Sequence, residues 1–410
     1  MNRKHIKKQG NSIGRKLLPI ISLAIIVISL FIIFIFQPDD KAIVKEEIEK
    51  KPTQEEKQAT KTAEEIRVLI AGMTLEEKVA QLFIITPEAL TGGVDATEAG
   101  EVTNEALKQF PVGGLIYFAK NIIEPEQTKR MINMTKVYTS ESNNIPLFYS
   151  VDEEGGIVSR IGNNQNFEVP RFKNLNQYET VQEAYLIGST IGSYLQELGF
   201  NLNYAPVADV YTNPTNRVVR ERAFSSNPLL VANMVVEEMR GFKEHGINIS
   251  LKHFPGHGNT THDTHFGLAM TNKTLAELEE GELIPFKKGI NAGAEMVMMA
   301  HISVPNIIGN NTPASLSPFM IIEVLRKQLG FKGVVITDSL SMGAISHNYS
   351  SDKAAILAIN AGVDILLMPK DFNAAYLGIL NAISNGEISE LRIDESLTKI
   401  LHLKKTSLQW

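Results

Sequence analysis

Six of the nine histidines, at positions 245, 253, 257, 262, 265 and 301, fall within residues 245–301. The densest part reads Lys252-His253-Phe254-Pro255-Gly256-His257-Gly258 and continues as NTTHDTHFG to Gly267. An imidazole with its ordinary pKa of about 6.5 can give or take a proton near neutral pH. Imidazole and carboxylate together can also bind zinc. Two chemistries are therefore open. One is a metal site built from His253, His257, His262 and Asp263. Against it, Pro255-Gly256 inside HFPGH prevents the regular helix that a His-x-x-x-His pair needs, and His253 and His257 are equally readable as hydrogen-bonded loop or core residues. The other is acid–base chemistry by Asp263-Thr264-His265. A carboxylate that accepts from one ring nitrogen fixes the tautomer and leaves the opposite nitrogen to move a proton.

Other reactive side chains end short apolar runs: Asp152, Asp209, Lys252-His253, His301 and Asp338. The runs are QLFIIT (81–86), GGLIYFA (113–119), PLFYSVD (146–152), NLNYAPVAD (201–209), NISLKHF (248–254), EMVMMAHI (295–302), GVVITDS (333–339) and DILLMP (364–369). Continuous apolar runs bounded by Gly, Pro or Asp suit strands buried on both faces, as in a parallel sheet. Between them the spacing predicts helices over 181–198, 229–245, 275–293 and 318–329. Thr74 with Glu77 makes a capping box, and Ser317-Pro318 opens a further helix. Eight strands alternating with helices predict an α/β fold, a (β/α)8 TIM-type barrel. No Gly-x-Gly-x-x-Gly follows the first strand, which argues against an open dinucleotide-binding sheet. In a barrel, the C-terminal strand ends form the active face, so these side chains would meet on one rim. Asp209 is read as structural.

The chain of 410 residues is 43% hydrophobic and 21% charged, the composition of a folded protein. A formal charge of −6 argues against nucleic-acid binding. With no cysteine, disulfide scaffolds, thiolate metal sites and cysteine nucleophiles are excluded. Residues 1–16 carry six basic side chains and no acid, and residues 17–36 carry no charge. That length spans a bilayer of about 30 Å. It is read as a transmembrane signal anchor with 1–16 in the cytoplasm and the rest outside, the chain being secreted if the anchor is cleaved. Residues 38–65 hold nine acids and six bases, and 37–63 is read as a flexible charged linker. The catalytic domain is then 64–410.

KHFPGHG with the following Asp263-Thr264-His265, DEEGG (152–156), RERAF (220–224) and VVITDSLSMGA (334–344) resemble glycoside hydrolase family 3, in its bacterial β-N-acetylglucosaminidase branch. The resemblance runs from TLEEKVAQL (74–82) to near the C-terminus. It implies Asp338 as nucleophile, His265 as general acid/base and Asp263 as its orienting partner. It implies further that Asp152, Arg160, Arg222, Lys252 and His253 hold the terminal sugar, and that no cofactor or metal is needed. The implied reaction is retaining removal of terminal non-reducing β-N-acetylglucosamine through a glycosyl-aspartate. An outward-facing domain points to peptidoglycan fragments as substrate. The alternatives are a β-N-acetylglucosaminide phosphorylase and a non-catalytic, membrane-anchored muropeptide-binding protein. Ile157 departs from the Arg that often follows the family's Glu-Gly-Gly.

Overall fold

Eight short apolar segments become eight parallel strands: β1 (Phe83–Ile85), β2 (Gly114–Tyr117), β3 (Phe148–Val151), β4 (Leu202–Asn203), β5 (Asn248–Phe254), β6 (Met296–Met299), β7 (Val334–Thr337) and β8 (Leu366–Leu367). Every strand residue is buried, as expected where a sheet is covered on both faces. In this computed structural model, residues 53–93, 95–260, 269–408 and 410 are described, and a compact unit spans Lys57–Trp410.

The strands pair in the order β8-β1-β2-β3-β4-β5-β6-β7. Ile336 bridges Ile365 in parallel, and the Thr337 N–H donates to the Ile365 carbonyl at 3.1 Å, which joins β7 to β8 and closes the ring. Helices connect successive strands, so the architecture is the expected (β/α)8 barrel. Ala269–Met270 and Ile302–Ser303 form a separate two-stranded ribbon above it.

Local sequence explains most boundaries. Thr180 and Glu183 cap Val181–Leu198 reciprocally, and Gly199 ends it with φ 97°. Three expectations need correction. Residues 275–293 form two helices, Leu275–Glu279 and Leu283–Asn291. Pro285 has no N–H for the Gly281 carbonyl, and Glu282 turns inward to Lys273 Nζ at 2.6 Å. The helix Phe319–Gln328 is wound more widely, with the Leu329 N–H reaching the Val324 carbonyl. Residues 54–63, assigned above to the flexible linker, lie within the helix Gln54–Gly72. Ile66 and Ile70, one turn apart, dock its apolar face onto the core.

No helix among the described residues is long and apolar enough to cross a membrane. The anchor expected over 17–36 lies outside the described residues.

Candidate active site

A cavity of about 310 Å³ opens at the C-terminal ends of the strands. It is lined by Asp152, Glu154, Arg160, Arg222, Lys252, His253 and Asp338, with Phe118, Met298 and Met342 among its apolar walls. That volume is at the lower end of small-molecule sites, about 300–1,000 Å³. A larger cleft of about 580 Å³ lies at the opposite end, beside Pro146, Asn201 and Gly246, and touches none of these charges.

The three consecutive acids after β3 part company. Asp152 faces the cavity and accepts from Lys252 Nζ at 2.7 Å, with Arg160 Nη2 3.9 Å from its other oxygen. Glu154 is fully buried. It takes Arg222 bidentately, at 2.7 and 2.8 Å, and Lys252 Nζ at 2.6 Å. Burial works against the Glu154 charge, yet Arg222 and Lys252 outweigh it and hold the carboxyl far below its ordinary range. For Lys252, Asp152 and Glu154 overcome burial and raise its pKa.

Glu153 points the other way, into the protein. It accepts from the Tyr194 hydroxyl at 2.8 Å, the Ile161 and Gly162 N–H groups at 2.9 Å, the Arg160 N–H at 2.5 Å and the Ser159 hydroxyl. It thereby folds the loop 158–162 and aims Arg160. Sequence reasoning singled out Asp152 alone; the run Asp152-Glu153-Glu154 after a strand was the available signal for the other two.

Around β5 the pairing register shifts between Leu251 and Phe254, so the consecutive side chains of Lys252 and His253 both line the cavity. Gly256 then takes φ 125°, and Gly258 packs so closely that a Cβ would lie 1.9 Å from the Val210 carbonyl oxygen. Buried Asp209 organises this turn. It accepts from His253 Nδ1 at 2.7 Å and from the His257 N–H at 2.6 Å. His253 Nε2 lies 3.2 Å from Arg222 Nη2, so the ring bridges Asp209 and the Arg222–Glu154 pair. His257 meets Thr260 Oγ1 at 2.8 Å, and burial pushes its pKa down to about 4.

Asp338 follows β7, half-buried at the cavity floor. Its Oδ1 accepts from the Ser339 N–H at 2.7 Å. Burial opposes ionisation, but His253, the Ser339 N–H and Lys252 are among the neighbours that hold the Asp338 pKa below the ordinary value.

The barrel therefore brings Asp152, Arg160, Arg222, Lys252, His253 and Asp338 into one cavity. Asp263, His265 and His262 lie outside the described residues. Among the described residues no group of three or more His, Asp or Glu side chains is arranged to hold a metal ion. Chemically, the cavity offers an ionised carboxylate beside a ring of fixed charges suited to hydroxyl-rich ligands.

The sequence matches the Glycosyl hydrolase family 3 N terminal domain over residues 74–403. Beta-hexosaminidase A of Pseudoalteromonas piscicida is 32% identical over 328 residues, which cover 73% of this chain and 54% of the relative. Beta-hexosaminidase of Stenotrophomonas maltophilia (strain R551-3) is 34% identical over 287 residues, 67% of this chain and 82% of the relative. A solved glycoside hydrolase family 3 beta-N-acetylglucosaminidase from Paenibacillus sp. str. FPU-7 superposes with a TM-score of 0.77 at 37% identity, covering 82% of this chain and 63% of that one. This chain thus spans about half the length of the first relative and under two thirds of the solved one. With the family match extending through all eight strands and every side chain of the cavity, the chain belongs to glycosyl hydrolase family 3.

Proposed function

We propose that this protein is a retaining exo-β-N-acetylglucosaminidase that removes terminal non-reducing N-acetyl-β-D-glucosamine. The observation that carries the reading is Asp338, ionised at the floor of a monosaccharide-sized cavity among Asp152, Lys252, Glu154 and Arg222. The beta-hexosaminidase names of its relatives support the same substrate class.

In this reading the Asp338 oxygen not held by Ser339 attacks the anomeric carbon. The bond to the leaving oxygen breaks, and that oxygen takes a proton from His265, which Asp263 orients. Water then gives a proton to His265 and attacks the anomeric carbon from the opposite face, the bond to Asp338 breaks and its carboxylate is freed, so configuration is retained. Asp152, Arg160 and Lys252 grip the sugar hydroxyls with charge-assisted hydrogen bonds. The roles of Asp263 and His265 rest on the sequence resemblance.

We assign muropeptide fragments of peptidoglycan as the substrate and an outward-facing, membrane-anchored placement, both from the basic-then-apolar N-terminus. Protease shaving of intact cells should cleave residues 64–410 if this holds; protection would overturn the placement.

The direct test is turnover of p-nitrophenyl N-acetyl-β-glucosaminide by the full chain with chelator present. Wild type should hydrolyse it, Asp338→Asn should be inert and His265→Ala greatly weakened. Turnover by Asp338→Asn would remove Asp338 from the mechanism. Release of sugar-1-phosphate in phosphate buffer would make the protein a phosphorylase.

A further inference from the structure

His301 stands just beyond β6 and has no exposed surface, and both of its ring nitrogens are engaged away from the cavity. Its Nε2 lies 2.9 Å from the Ser339 carbonyl oxygen, and its Nδ1 lies 2.7 Å from Ser315 Oγ. A carbonyl can only accept, so Nε2 carries the proton. Burial lowers the His301 pKa, keeping the ring neutral, so Nδ1 accepts from the Ser315 hydroxyl.

Ser339 is the residue whose N–H holds Asp338 Oδ1. Three bonds fix this turn from outside. The Asp338 N–H donates to the Met299 carbonyl at 2.9 Å, and the Leu340 N–H donates to the Leu367 carbonyl at 2.9 Å. The third is the His301 ring on the Ser339 carbonyl, which also accepts from the Met342 N–H at 3.1 Å within the turn; of the three, the ring's bond alone comes from a side chain. It holds the 339–340 peptide, and through the Ser339 backbone it steadies the preceding 338–339 peptide, whose N–H lies on Asp338 Oδ1. Among the described residues, no hydrogen bond reaches the other oxygen, Oδ2.

We infer that His301 is a positioning residue for the nucleophile: by holding the Ser339 carbonyl it steadies the Ser339 backbone, whose N–H occupies Asp338 Oδ1 and leaves Oδ2 to face the sugar. Ser315 supports it by donating to Nδ1 and so fixing the tautomer. The inference rests on the reading of Asp338 as nucleophile.

The test compares two replacements of similar shape, His301→Gln, which keeps an N–H for the Ser339 carbonyl, and His301→Met, which does not. Steady-state kinetics with p-nitrophenyl N-acetyl-β-glucosaminide and thermal melting are measured for the full chain, beside Asp338→Asn. A misplacement of about 1 Å can cost about 100-fold in rate. His301→Met should therefore lose about 100-fold in kcat with KM changed by less than about twofold, while His301→Gln stays within about tenfold of wild type. Equal kcat for folded Gln and Met variants, with Asp338→Asn inert, overturns the inference and leaves the nucleophile standing. Turnover by Asp338→Asn overturns both. If His301→Met does not fold, Ser315→Ala carries the test. Freed to move its proton to Nδ1, the ring should release Ser339 and lower kcat several-fold at constant KM; an unchanged kcat overturns the inference.

Discussion

Arg222 places two N–H groups on Glu154, at 2.7 and 2.8 Å, and Glu154 has no surface of its own exposed. The same carboxylate holds Lys252, which in turn reaches Asp152 at the cavity wall. Glu154 thus fixes two of the cations that line the cavity. Removing one partner of a buried charged cluster leaves the others uncompensated, typically at a cost of about 3–5 kcal/mol. Glu154→Gln should lower stability by about that amount in denaturant titration and reduce kcat/KM by about 100-fold as Lys252 and Arg222 shift. Arg222→Lys should also lose activity, because an ammonium cannot reproduce the two-pronged contact. Wild-type kinetics in folded Glu154→Gln would remove Glu154 from this role.

His257 sets a stability limit on the acid side. Burial holds its pKa at about 4, below the value of about 6.5 in an unfolded chain. Between those values the unfolded chain takes a proton that the folded one refuses, so stability rises with pH across that window and falls on acidification. Below pH 4 the lowered carboxylates Glu154, Asp209 and Asp338 add a further loss as each is protonated. The denaturation midpoint should drop between pH 6.5 and 4, and His257→Gln should flatten that limb. An equally steep limb in His257→Gln would assign the loss to other groups.

Lys404 gives the opposite side of the profile. It is fully buried at the N-terminal end of the barrel, with its ammonium 2.9 Å from Gln81 Oε1 and 5.1 Å from the centre of the Phe148 ring. Burial pushes its pKa down to about 7, against about 10.4 in the unfolded chain. The unfolded chain therefore binds the extra proton between about pH 7 and 10, and stability should increase with pH there, on the order of 2–4 kcal/mol. Lys404→Met should be more stable than wild type at pH 7 and lack that increase. A parallel pH dependence in the two proteins would show that Lys404 titrates normally.

The barrel was legible because each strand is a continuous apolar run cut off by Gly, Pro or Asp, and because apolar spacing marks the helices between them, such as 181–198. Helix 275–293 misled because its apolar spacing continues through the point where Pro285 lacks a donor. Asp152, Lys252 and Asp338 could be found from their place at strand ends. Glu153 and Glu154 could not be told apart in sequence, since their partners Tyr194 and Arg222 lie 41 and 68 residues away. The role of His301 was equally hidden: its place on the rim suggested chemistry, whereas its contacts point to the backbone beside Asp338.

Asp364 separates stability from activity. It lies fully buried just before β8, at the end of the barrel remote from the cavity. It accepts from Arg326 at 2.5 Å, Lys399 at 3.0 Å, Ser396 Oγ at 2.9 Å and the Val335 N–H at 2.9 Å. Through these bonds one carboxylate ties the helices Phe319–Gln328 and Glu390–Ser407 to β7 and β8. Residues at this face of a barrel serve stability, while those at the opposite face serve chemistry. Asp364→Asn should therefore cost about 3–5 kcal/mol, because Arg326 and Lys399 lose their common anion. Measured on the protein that remains folded at low temperature, its kcat and KM should match wild type within about twofold, since nothing in the cavity has moved. A kcat loss comparable to that of Asp338→Asn, with stability unchanged, would mean that the two ends of the barrel are coupled and that Asp364 acts on the site.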